Sequence, residues 1–437
     1  MQRLLLLVTL ALAATSHAAD LLDVFNSALD NDPDYAAAIA ARNAALEAEP
    51  QARANFLPQL SVLADADQVF RDSRNSVGFN SGSEYYSSWQ YALSASQSVF
   101  RKENFALLKQ AKLSVQQAEV DLAAALQDLV FRTAQAYFNV LAAQEDLQLR
   151  KAETKAFNRQ LEQAQQRFDV GLIAITDVLE AKATRDSSVS EDIAAANSLS
   201  DSYEALRRIT GHYYEHLDDL AKEHPPLAKP DPPDLKVWSE TALAQNLPLQ
   251  AAKLSYQIAQ ENVDLQRAGH YPTLDLVASY GRSKDTSNFR SESTDGRIGL
   301  EFNWSLYQGG RVSSQVRQAE HESTQSRELL ESVRRRTDAD TRDAYRGVIS
   351  LVAGVNALKE SVISSESAVE ATEAGYDVGT RTIVDVLNVQ TVLFTNQRDY
   401  SKARYNYVIQ TLRLKQAAGS LAPEDLNLVN SWLVVEK

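Results

Sequence analysis

Two twelve-residue stretches hold the side chains of this sequence best placed for polar chemistry. Phe168–Leu179 reads FDVGLIAITDVL and Tyr376–Leu387 reads YDVGTRTIVDVL, 376 − 168 = 208 residues apart, with seven of the twelve positions identical. Both hold a carboxylate in the same frame, Asp177 and Asp385. Only the second adds a phenol hydroxyl, Tyr376 where the first has Phe168, and a guanidinium, Arg381 where the first has Ile173. Arg381, Asp385 and Asn388 recur at i, i+4 and i+7, so they share one helix face. Plainer roles stay open. Asp177 and Glu180 have the spacing of a helix-starting capping box, and Arg381 fits a solvated surface.

A further constellation, HYYEH at His212–His216, matches the H-x-x-E-H pattern of some zinc hydrolases. That chemistry needs both histidines on one helix face and a third ligand beside them. Here the segment follows Thr210-Gly211, a helix stop, and runs into a proline-rich stretch. No Ser-His-Asp context or phosphate-cradling loop accompanies it. The expectation is a protein with no metal or cofactor and no enzymatic activity.

Composition narrows the setting. Residues 1–19 have one arginine, an apolar run from Leu4 to Ala14 and small residues before Asp20. They read as a secretory signal peptide cleaved near Ala18 or Ala19. The 437 residues include no cysteine, so neither a disulfide nor an N-terminal lipid is expected. The net charge of −14 argues against nucleic acid as a partner.

The elements that must position the twin stretches are themselves twinned. The sequence predicts a first repeat over 20–221, a linker over 222–236 with five prolines, a second repeat over 237–420 and a C-terminal segment over 421–437. Each repeat opens with a helical segment, Leu21–Asn55 and Leu235–Ala268. Two alternating segments follow, near 57–70 and 86–99 in the first repeat and near 272–283 and 297–306 in the second. Their apolar residues (Leu60, Val62, Leu93, Leu276, Ile298, Trp304, Leu306) alternate with polar ones at the strand period. Next comes a long helix free of proline, from Arg101 to Phe168 and again from Arg311 to Tyr376. At ~1.5 Å per residue each spans about 100 Å. Gly171 and Gly379 interrupt, and shorter helices return over Asp177–Ile209 and Val384–Ala418. Four strands cannot close a barrel, and open edges cannot face lipid, so a membrane wall made from them needs several chains.

At AYFNVLAAQ (136–144), RFDVGLIAITDV (167–178), LRRITGHYY (206–214), YQGGRVSSQVRQAE (307–320), EAGYDVGTRTIVDVL (373–387) and ARYNYVI (403–409), the chain resembles the TolC-like outer-membrane efflux proteins. The resemblance covers nearly the whole mature chain. It implies an α+β membrane channel: a homotrimer whose 12-stranded β-barrel, four strands per protomer, continues into a long periplasmic α-helical barrel. It implies an exit duct for small molecules or proteins. Its partners would be outer-membrane lipid, a periplasmic adaptor protein and an inner-membrane ABC or RND-type transporter that supplies the energy.

The resemblance also assigns residues. Thr176 and Asp177 of one helix pair would bind Tyr376 and Arg381 of the neighbouring pair, closing a periplasmic gate. Such charge-assisted hydrogen bonds contribute roughly 1.5–3 kcal/mol each. Asp385 would face the threefold axis as a ring of carboxylates that attracts cations. Asn388 stands where the family pattern has a second Asp. The turns at Gly171-Leu172 and Gly379-Thr380 would contact the adaptor. A passive structural or adhesive coiled-coil protein of the envelope is the competing expectation.

Overall fold

The structure, a computed structural model, describes residues 19–73, 82–221, 225–287 and 290–434. The expected signal peptide, save residue 19, lies outside the described residues, as do the first three residues of the linker.

The chain begins with α1 (Leu21–Asn31), α2 (Pro33–Leu46) and α3 (Ala48–Ala54), then β1 (Gln59–Ser73) and β2 (Gly82–Phe100). The long α4 (Lys102–Asp169) and its return α5 (Ile175–Thr210) follow. After a short β3 (Asp219–Leu220) the order recurs as α6 (Leu235–Gln245), α7 (Leu247–Arg267), β4 (Thr273–Asp285), β5 (Glu292–Asn303), α8 (Arg311–Asp377) and α9 (Ile383–Ala418). It closes with α10 (Asp425–Asn430) and β6 (Leu433–Val434), which pairs antiparallel with β3.

The opening segment of each repeat, read as one helix, is broken. Asp32 turns extended (ψ 118°) because the ring of Pro33 crowds the helical conformation of the residue before it. Its carboxylate then caps α2 through the Tyr35 N–H at 2.7 Å and accepts from Arg132 at 3.2 and 3.3 Å. In the second repeat Asn246 leaves the helix (ψ 121°). Pro248 lacks an N–H and fits only in the first turn of the restarted α7. The fourth strand also ends earlier than its alternation suggests. Trp304 and Leu306 lie past Asn303, and the Trp304 indole donates to the His270 carbonyl at 3.2 Å.

The chain forms two compact units, each drawing on both repeats: 1–37, 123–246 and 335–437 in one, 38–122 and 247–334 in the other. The second unit holds the sheet, in the order β1-β2-β4-β5 and antiparallel throughout. The two hairpins meet at β2 and β4, leaving β1 and β5 as edges. Leu60, Ala95, Ala278 and Ile298 align across all four strands on one face. The pleat puts the next row on the other face: Ser61, Ser94, Ser279 and Arg297. The polar face is stitched by Ser61–Ser94 at 2.7 Å, Gln90–Asp65 at 2.8 Å and Ser283–Ser293 at 3.0 Å. At its root Arg101 donates to both oxygens of Asp275 at 3.0 and 2.8 Å. This fastens the start of α4 to the second repeat's first strand.

The first unit has a core built from α1, α4, α5, α9 and the C-terminal segment, with Leu21, Leu129, Tyr137, Phe138, Leu206, Tyr405 and Leu412 fully buried. The termini are tied together here: Asn430 accepts from the Leu21 N–H and donates to Asp20, both at 2.9 Å. Gly419 ends α9 at φ 76°, and a Cβ there would sit 2.5 Å from the Gln245 carbonyl oxygen. Gly419→Ala is therefore expected to destabilise this unit by about 1–3 kcal/mol, measured as a lowered thermal midpoint of helical circular dichroism.

Candidate functional site

The twin stretches form the two turns that join α4 to α5 and α8 to α9. Each long helix ends in a Schellman motif. Gly171 (φ 77°) donates to the Phe168 carbonyl and Leu172 to that of Arg167, both at 2.8 Å. Gly379 (φ 78°) donates to Tyr376 at 3.1 Å and Thr380 to Gly375 at 2.9 Å. Glycine takes the left-handed conformation without the Cβ penalty. The turn residues Gly171, Leu172, Gly379 and Thr380 are all exposed, with Val170 and Val378 beside them.

The returning helices start differently. Thr382 caps α9: its hydroxyl oxygen accepts from the Asp385 N–H at 3.2 Å, and the Asp385 carboxylate accepts from the Thr382 N–H at 2.9 Å. The Thr382 hydroxyl also lies 2.9 Å from that carboxylate. The Thr382 N–H and hydroxyl hold the Asp385 carboxyl below the usual carboxylate range. Ala174 occupies the equivalent place before α5 and has no side-chain oxygen to offer. The capping box therefore belongs to the second copy, not to Asp177 and Glu180 as their spacing suggests. Helix α5 begins at Ile175, two residues before the expected start, which puts Asp177 inside its first turn.

Between the turns lies a small core of Phe157, Ala164, Val178, Ala181, Tyr376, Ile383, Val386 and Leu387. Tyr376 is 5% exposed, and among the described residues its hydroxyl makes no hydrogen bond of good geometry. Burial pushes its pKa up, Arg167 opposes the shift, and the nearby Asp177 carboxylate adds to it. So the structure brings Asp177 close to Tyr376 without the hydrogen bond expected of them. Thr176, Arg381 and Asn388 are exposed. No hydrogen bond or ion pair among the described residues joins Arg381 to Thr176 or Asp177. The Arg381 stem instead packs over Gly375, where a Cβ would meet its Cγ at 2.8 Å.

Two polar groupings escape sequence reasoning. Arg167, in the last turn of α4, lies over the Tyr376 ring with its guanidinium carbon 4.1 Å from the centroid. It donates to the Tyr376 carbonyl at 3.3 Å and to the Asp377 carboxylate at 2.9 Å. The signal was available one position upstream of the twin motifs, where the first copy has Arg167 and the second Gly375.

About four turns further along these helices, Glu153 of α4 is 3% exposed. It accepts from Arg398 of α9 at 2.6 Å and from Arg150 at 3.4 Å, and Arg150 also pairs with Glu191 of α5. Burial pushes the Glu153 carboxyl up, against the pull of Arg398 and Arg150. Glu153 and Arg398 are 245 residues apart, and nothing local in either marks the other.

The HYYEH segment is not helical. Helix α5 ends at Thr210, with Gly211 left-handed at φ 73°, so the one-face geometry that pattern requires is not formed.

The chain matches the family described as "Outer membrane efflux protein" over residues 24–212 and 238–420. It is similar to the outer membrane protein TolC of Vibrio cholerae, 37% identical over 453 residues and the full length of both chains. It is also 37% identical to the TolC of Escherichia coli, over 96% of this chain and 86% of that one. Among solved structures, the Campylobacter jejuni CmeC outer membrane channel superposes with a TM-score of 0.80 at 16% identity, covering 94% of this chain and 89% of that one. The chain belongs to the outer membrane efflux protein family.

Proposed function

We propose that this chain is one protomer of a homotrimeric exit duct, secreted through a cleaved, non-lipidated signal peptide and gated at the two turns of its long helices. Membership of the family makes it an outer-membrane transport protein of the efflux and secretion class, not an enzyme. The observation that carries the assembled duct is the sheet. It has one apolar face and one polar face, as a wall between lipid and water requires. Among the described residues its outer strands β1 and β5 pair with no further strand, and further copies of the chain would cover those edges. Three chains of four strands would close the ring.

The α4–α5 and α8–α9 turns would surround the periplasmic mouth. Parting of one helix pair from the other would open the duct, a shift between two populated states. Asp385 and Asn388 on one face of α9 would line the constriction. The exposed turns at Gly171-Leu172 and Gly379-Thr380 would receive a periplasmic adaptor, and an inner-membrane ABC or RND-type transporter would supply the energy.

The absence of cysteine makes the wall simple to test. One cysteine replaces Ser61 on the β1 edge, and a second is walked from Ser293 to Glu301 on the β5 edge. Oxidation in outer-membrane preparations should yield a covalent ring with the mass of three chains at one register. Monomer at every register would refute the closed wall.

A further inference from the structure

We infer that Arg167 is the clamp that holds the two helix pairs together at the mouth, reaching from the end of α4 over the Tyr376 ring to the Asp377 carboxylate. The inference rests on the gate proposed above and names the group that fastens it.

Three contacts converge on one side chain. The guanidinium covers the face of a buried ring at 4.1 Å, the Tyr376 carbonyl accepts at 3.3 Å and the Asp377 carboxylate at 2.9 Å. All three cross from the first repeat's helix pair to the second's. A guanidinium suits this place because its plane stacks on an aromatic face while its edge still donates. Among the described residues the Tyr376 hydroxyl makes no hydrogen bond of good geometry, and the cation that acts on it is Arg167 itself. What the ring contributes is its face to Arg167 and its packing against Ile383 and Val386.

The repeat makes the clamp single. Arg167, Phe168 and Asp169 of the first copy stand opposite Gly375, Tyr376 and Asp377 of the second. Gly375 has no side chain to send back, so the reciprocal contact onto Phe168 cannot form. The space above Gly375 is taken by the Arg381 stem. Each protomer thus has one such clamp, and it releases only when Arg167 leaves Tyr376.

Single-channel conductance in planar bilayers tests this, on variants first checked for the covalent ring described above. Arg167→Met keeps the stem and removes the charge. It should raise conductance severalfold, and by more than Tyr376→Phe, which removes only the hydroxyl. Arg167→Glu should open the channel further, and adding Asp377→Arg should bring conductance back down. A smaller rise in Arg167→Met than in Tyr376→Phe would overturn the clamp and leave the gate standing. No fall on adding Asp377→Arg would overturn the pairing with Asp377. Parent-like conductance for substitutions at Arg167, Tyr376, Asp177 and Arg381 alike would overturn the gate itself.

Discussion

Arg398→Met is expected to destabilise the helical unit by about 3 kcal/mol. Removing one partner of a buried ion pair leaves a charge with too little solvation, a loss of roughly 3–5 kcal/mol, and the lower end applies because Arg150 stays beside Glu153. The same reasoning predicts a rescue. Glu153→Gln added to Arg398→Met removes the stranded charge and should recover most of the loss in urea unfolding followed by helical circular dichroism.

The pH dependence has a defined sign. The folded-state pKa of Glu153 is raised above its unfolded value by burial, and losing Arg398 raises it further. Between the two values the folded chain binds more protons than the unfolded chain, so stability falls as pH rises through that window. The deficit of Arg398→Met should therefore be greatest at neutral pH and shrink on acidification. A deficit that grows as pH falls would contradict this account.

Asp385→Asn is expected to lower the cation preference of the channel severalfold without unfastening α9. Asparagine can still accept the Thr382 N–H but carries no charge, whereas Asp385→Ala should lose both charge and cap. Reversal potentials across a salt gradient report the charge. Hydrogen exchange at the first turn of α9 reports the cap, and should quicken only in Asp385→Ala. Because Thr382 holds the Asp385 carboxyl below the usual range, its charge persists as pH falls through mildly acidic values. The cation preference of the parent should fade only below the range in which an ordinary aspartate titrates. An unaltered reversal potential in Asp385→Asn would place the constriction elsewhere.

The residues that announce themselves in the sequence are those whose role is local. The uninterrupted run of α4, the glycines that turn each long helix back and the alternation in β1, β2, β4 and β5 are set by neighbours along the chain, so period and breaker residues suffice. Helix starts are less legible. Ile175 precedes the carboxylate that looks like a cap, and Thr382 supplies the cap in the second copy because a hydroxyl stands there where the first has Ala174. The pairing of β2 with β4 joins the two repeats and leaves no local trace. Arg167 on Tyr376 and Arg398 on Glu153 are likewise contacts between repeats, decided by which side chains the fold brings together. The hydrogen bonds expected of Tyr376 and Arg381 depend on the same long-range placement, and the structure sets a ring contact in their stead.

That β1 and β5 end the sheet among the described residues has a consequence for the history of each channel. A lone protomer in the membrane would expose two rows of unsatisfied backbone groups to hydrocarbon, each costing several kcal/mol. In a duct closed by three copies, insertion and association are then a single event. A subunit of such a duct could not afterwards leave without tearing open two seams at once, so the membership of each would be fixed at the moment of its birth. In a cell making two versions of this chain, mixed channels would form during assembly and never sort themselves out later.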